Sequence, residues 1–182
     1  MEDKYKVKSA KDFFGWKCAF DNYGLKNFFK DSVFPLTVSI FLCLIVYVYD
    51  IDIFSQLKFL LDVGFMIVPT MIALMLTAYT IILNFILGGK ISSLLSKEAG
   101  CILVKKLNSS FAISLLVTII FIILLVVVGN ILHMNILFTY ADIVNYITFF
   151  VISYLLLFSI SVLIGVVVNV FNMGQTVFFN EK

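Results

Sequence analysis

VGFMIVPTMIALMLTAYTIILNFIL, residues Val63–Leu87, decides the fold, because no charged side chain falls between Asp62 and Lys90. About 20 apolar residues carry a helix across the hydrocarbon of a bilayer, and this run is longer. Inside it Thr70, Ala73, Thr77, Thr80 and Asn84 step by three and four. On a helix they form one small or polar stripe, and the remaining faces are mostly Ile, Leu, Met, Phe and Val.

Composition extends that reading to the whole chain. Of 182 residues, 62% are hydrophobic, and the mean hydropathy is +1.11. Soluble domains are about 45–50% apolar, so the excess assigns the chain to the membrane class. The net charge of +2 is too small to attract nucleic acid, and no direct nucleic-acid binding is expected. All 13 basic residues are Lys. The side chain best suited to bidentate phosphate or carboxylate recognition, Arg, is therefore missing. Heavy use of Lys, Asn, Ile and Phe without Arg resembles AT-rich coding and points to a prokaryotic source.

Three further runs flank the first. Residues 33–49 form a first span at the short limit for crossing, with Asp31 or Ser32 as N-cap and Pro35 in the first turn. The mixed connector Ile51–Leu61 reads as a short surface helix, and Asp62 caps the second span, 63–87, which Pro69 kinks and Gly88-Gly89 ends. The third span is 110–132, where Ser110, Ser114 and Thr118 recur every four residues and let another backbone come close. Gly129–Asp142 then reads as a short loop carrying the only histidine, His133. The fourth span, 143–171, is long enough to tilt or protrude. Its C-terminal half carries a second small or polar stripe, Ser161, Gly165, Asn169 and Asn172.

Two cytoplasmic segments are expected to be amphipathic. Residues 1–32 place Phe13, Trp16, Phe20 and Tyr23 on one helical face, as in a helix lying in the membrane interface or packing on the bundle. Gly24 breaks that helix, and Leu25, Phe28 and Phe29 follow as a second apolar patch. Residues 90–109 read as an amphipathic helix running toward span three, with Lys97, Lys105 and Lys106 off its apolar face.

Lysine counts set the topology. Seven Lys fall in 1–32, four in 88–109 and one in the tail 173–182, while the two opposite loops hold only Lys58. The positive-inside rule then puts both termini and the middle loop in the cytoplasm. The expectation is one four-span all-α domain, 33–172, in a bacterial inner membrane, N-in and C-in. No cleavable signal peptide is expected. Cys18, Cys43 and Cys101 all fall on the inner side or within a span, so no disulfide is expected.

Function is approached by elimination. The predicted spans hold no Asp, Glu, Lys or Arg, the usual mark of proton relays and ion-coupled transport. Intramembrane hydrolysis would need a Ser with a Lys or His base, paired Asp, or a metal cluster. None of these lies in a span, so no enzyme, catalytic residue or cofactor is expected. A metal site would have to gather Asp50, Asp52, Asp62, His133 and Asp142 from outer segments, and solvated caps are the better reading.

The polar stripes remain. Thr70, Thr77, Thr80 and Asn84 either glue helices together or line a conduit in a homo-oligomer, and Ser161, Gly165, Asn169 and Asn172 are the rival lining. The first expectation is a small oligomeric passive pore or permeabilising effector, gated from the cytoplasm by the Trp16-bearing segment or the 90–109 helix. The alternative is a non-conducting anchor that recruits a cytosolic partner protein through Lys97, Lys105, Lys106 and the N-terminal segment. In span count, size and Lys-rich cytoplasmic faces the layout resembles small membrane components of prokaryotic phage-defence operons, such as the four-span subunit of the Kiwa system. That resemblance implies a role in anti-phage defence, as pore or as anchor.

Overall fold

The structure, a computed structural model, describes residues 16–87, 98–134 and 140–180. These form four helices: α1 (Trp16–Val48), α2 (Ile53–Leu87), α3 (Glu98–His133) and α4 (Ala141–Asn180). Each is long and apolar enough to cross a membrane, over Tyr23–Val48, Ile53–Ile82, Val104–His133 and Ala141–Gln175. No strand occurs among the described residues. The chain is thus an all-helical membrane protein with four transmembrane-like helices.

Every helix is longer than its apolar run suggests, and local chemistry explains where each one stops. Span one has no cap at Asp31 or Ser32, because α1 continues back through both to Trp16. The interruption is Gly24, at φ 68° and ψ 156°, a backbone region closed to residues with a Cβ. Open space surrounds Gly24, so its backbone conformation, not lack of room, demands glycine. Pro35 is therefore well inside a helix, not in its first turn, and it is fully buried. Its ring nitrogen carries no hydrogen and so donates no bond to the preceding turn.

The end of α1 is a Schellman motif. Asp50 takes φ 50°, the Ile51 N–H reaches the Val46 carbonyl at 3.0 Å, and the Asp50 N–H reaches that of Tyr47 at 3.4 Å. Ile51 packs against the core that contains Val46, which is the apolar contact such an ending uses.

Asp52, not Asp62, starts α2. Its carboxylate accepts from the backbone N–H of Phe54 at 3.2 Å and of Ser55 at 3.3 Å, and from the Ser55 hydroxyl. The connector Ile51–Leu61 is accordingly the first turns of α2, which passes through Pro69 and reaches Leu87 without interruption. The third helix likewise runs on to His133, so Gly129–His133 is helix and not loop. Gly88-Gly89 and residues 90–97 lie outside the described residues.

The chain divides into two compact units, with a boundary inside each of the four helices. One comprises Phe29–Ile72 and Leu116–Ser161. Its core gathers Val46 of α1, Ile53, Leu57, Leu61 and Val68 of α2, Phe121, Leu125 and Val128 of α3, and Phe149, Ile152 and Leu156 of α4. Gly64 lets α2 and α3 approach, since a Cβ there would meet Leu125 Cδ2 at 2.9 Å. The Tyr154 hydroxyl of α4 and the Ser32 hydroxyl of α1 hydrogen-bond at 3.0 Å.

The other unit comprises the described residues within Met1–Phe28, Ala73–Leu115 and Val162–Lys182. Here Tyr79 of α2 packs on Phe111 of α3 with ring centroids 5.0 Å apart, and Ser114 of α3 donates to Met75 Sδ at 3.7 Å. Ala19 and Tyr23, one turn apart on α1, are both buried.

Candidate functional site

The Thr70–Asn84 stripe lies on the outside of the chain. The buried positions of α2 are Ile53, Leu57, Leu61, Gly64, Val68, Met71, Met75, Ala78 and Ile82. Thr70, Ala73, Thr77, Thr80 and Asn84 are all exposed. At about 100° per residue, the mean direction of the stripe lies about 160° from that of Val68, Met71, Met75, Ala78 and Ile82. The polar face of α2 thus points away from the packed face, and packing inside one chain does not account for it.

Two hydroxyls in the stripe are satisfied locally. Thr77 donates to the Ala73 carbonyl and Thr80 to the Leu76 carbonyl, each at 2.9 Å. This back-bonding lets a threonine face a low-dielectric neighbour without an orphan donor. Asn84 is different in kind, because a primary amide has two donors and an acceptor to satisfy. It sits three residues from the end of α2, close to where polar solvent or headgroups become available.

The second stripe is also turned outward in part. Gly165 and Asn172 are exposed, Ser161 and Asn169 half-buried. A Cβ at Gly165 would meet nothing within 4 Å, so the Ser161-xxx-Gly165 pair holds no helix of the same chain. The third-span series behaves as its spacing suggests, with Ser114 and Thr118 buried and Ser110 half-buried.

Of the N-terminal aromatic face, the structure describes the side chains of Phe20 and Tyr23. Tyr23 is 7% exposed and Phe20 53%. The packed edge is Ala19 and Tyr23, and Phe20 is turned about 100° from Ala19, away from it. Phe13 lies outside the described residues, and Trp16 opens α1. Beyond Gly24, Leu25, Phe28 and Phe29 are all exposed. Lys97 lies outside the described residues, while Lys105 is half-buried and Lys106 exposed on α3.

Buried serines escape the sequence pattern, while two of the outer residues it names, Asp62 and His133, do come together. Ser39, Ser153 and Ser159 bury hydroxyls that take no hydrogen bond. Only their small size, spaced among large apolar neighbours, could have signalled them. Asp62 and His133 line one cavity with Lys58 and Asn130. Asp52 is committed to capping α2. No group of three His, Cys, Asp or Glu capable of holding a metal occurs among the described residues.

No family model, no curated protein and no solved structure matches the chain.

Proposed function

We propose that this chain assembles as a symmetric homo-oligomer in a bacterial inner membrane and forms a passive pore lined by α2. The observation that carries the reading is the outward direction of Thr70, Thr77, Thr80 and Asn84. Polar side chains on an outer helix face gain nothing from lipid. They gain from water or from the same face of a second copy. Buried polar side chains among the described residues are Ser and Thr alone. A conduit therefore has to be built between copies.

Cyclic symmetry repeats one stripe around an axis, so a single threonine becomes a ring. The rings are uncharged, which suits passive permeation and weak ion discrimination. Both termini face the cytoplasm on this reading, following the lysine asymmetry. The gate is the Trp16-bearing segment ahead of the Gly24 break, a position where the backbone is already non-helical. No enzymatic step is assigned. Anti-phage defence is the setting in which a cytoplasmically triggered leak would act.

The second reading, a non-conducting anchor for a cytosolic partner, draws on the exposure of Lys106 beside Lys105 on α3. Reconstitution separates the two. Vesicles containing the purified chain are expected to release trapped ions or a small dye in proportion to protein. Sealed vesicles across all oligomeric fractions would reject the pore and leave the anchor.

A further inference from the structure

The geometry points to a binding site for a zwitterionic phospholipid headgroup, a phosphate with a primary ammonium, in the cavity between the start of α2 and the end of α3. The cavity measures about 490 Å³, within the range of small-ligand sites. Lys58, Asp62, Asn130 and His133 supply its polar lining, and Leu61, Phe65, Val126, Gly129 and Leu132 the rest.

The polar set holds both kinds of partner. Lys58 rests its ammonium over the Phe54 ring, 4.4 Å from the centroid and one turn back. Its charge is also felt by the Asp52 carboxylate, but an ammonium carries three donors, so it can still meet a phosphate, while Asp62 lies one turn ahead. The Asn130 amide nitrogen donates to the Val126 carbonyl at 2.7 Å, which leaves its oxygen as an acceptor. Lys58 and the His133 ring N–H can donate to a phosphate, while Asp62 and the Asn130 oxygen can accept from an ammonium. A purely anionic headgroup would meet the Asp62 carboxylate unrewarded.

Position selects a lipid over a soluble ligand. After Asp62, α2 holds no charge to Leu87, and before His133, α3 holds none back to Leu107. The cavity thus sits where both helices change from charged to uncharged, the level of a headgroup. Its rim continues into apolar surface, with Phe65 and Val126 lining it while half exposed, and Met66 and Ile131 beside them. Acyl chains gain from that surface and a free headgroup does not. The inference concerns the chain in its bilayer and does not depend on conduction.

The test uses the full chain, delipidated in detergent and titrated with phosphatidylethanolamine, phosphatidylglycerol or soluble glycerophosphoethanolamine. Binding is read by thermal shift and native mass spectrometry. Phosphatidylethanolamine is expected to bind about fivefold tighter than phosphatidylglycerol, as one well-placed ion pair allows. The soluble headgroup is expected to bind much more weakly than the lipid. Asp62→Asn should level the two lipids, while Asp142→Asn, outside the cavity, keeps the preference. Gly129→Leu should abolish the lipid adduct by filling the cavity, since a Cβ there meets only Phe65 at 3.7 Å. Equal affinity of the wild type for both lipids would overturn the proposal. So would an unchanged preference in Asp62→Asn, or a soluble headgroup binding as tightly as the lipid.

Discussion

Asp50 holds a left-handed backbone that glycine adopts without cost, at the one place where α1 must end and turn toward Asp52. Asp50→Gly is expected to stabilise the protein by about 1 kcal/mol and Asp50→Val to destabilise it by more, read as thermal unfolding in detergent. Asp52 carries the next turn. Its hydrogen bond from the Ser55 hydroxyl, those from the Phe54 and Ser55 N–H groups, and the nearby Lys58 charge hold its carboxyl below the usual value. A depressed folded pKa means a contribution that is complete above about pH 4, the unfolded value, and lost as pH falls through the folded one. Asp52→Asn keeps a capping oxygen but cannot titrate. Its unfolding temperature should fall less than that of the wild type between about pH 5 and pH 2, and identical profiles would deny the cap this role. Ser153 offers the reverse case, a buried hydroxyl with no partner. Ser153→Ala is expected to be neutral or stabilising by about 1 kcal/mol, and a marked loss would mean the hydroxyl has a partner in the bilayer.

At the scale of the elements, α2 and α3 meet where Gly64 faces Leu125 and Phe121. Leu125 is 1% exposed and cannot swing aside. Gly64→Val should cost about 1–3 kcal/mol, and Leu125→Ala should cost less in that background than alone, the sign of a shared contact in a double-mutant cycle. On the opposite face, Thr77 bonds only its own helix. Thr77→Leu should leave the folding of one chain unchanged while reducing vesicle leak severalfold; equal leak would remove Thr77 from the conduit. Four helices, the Gly24 break and the buried Ser114–Thr118 side of α3 were legible in the sequence. The facing of α2 was not. In water, polarity tells a helix which side to bury, but in lipid the tails are as apolar as Leu74 or Leu76, and packing shape decides. Met71, Met75 and Ala78 are buried while equally apolar Ile72 and Leu74 are exposed. Helix ends differ from the apolar runs for a related reason. Hydropathy marks where apolar residues stop, whereas caps such as Asp52 mark where hydrogen bonding stops.

For the whole molecule, the polar seam of α2 lies outside, among exposed apolar side chains such as Ile72 and Leu74. Sidedness is argued from lysines alone, so a reporter fused to either terminus should face the cytoplasm, and ends on opposite sides would contradict the scheme. Copies arranged with α2 toward a common axis would place Thr70, Thr77 and Asn84 in water at successive depths. The most direct test starts from a variant in which Cys18, Cys43 and Cys101 are replaced. Single substitutions Thr70→Cys, Thr77→Cys and Asn84→Cys are compared with Ile72→Cys and Leu76→Cys in intact bilayers, using a membrane-impermeant, water-soluble maleimide. The account predicts rapid labelling at 70, 77 and 84 and little at 72 and 76. No labelling at 70 and 77, or equal labelling at all five positions, would contradict a water-filled conduit along α2.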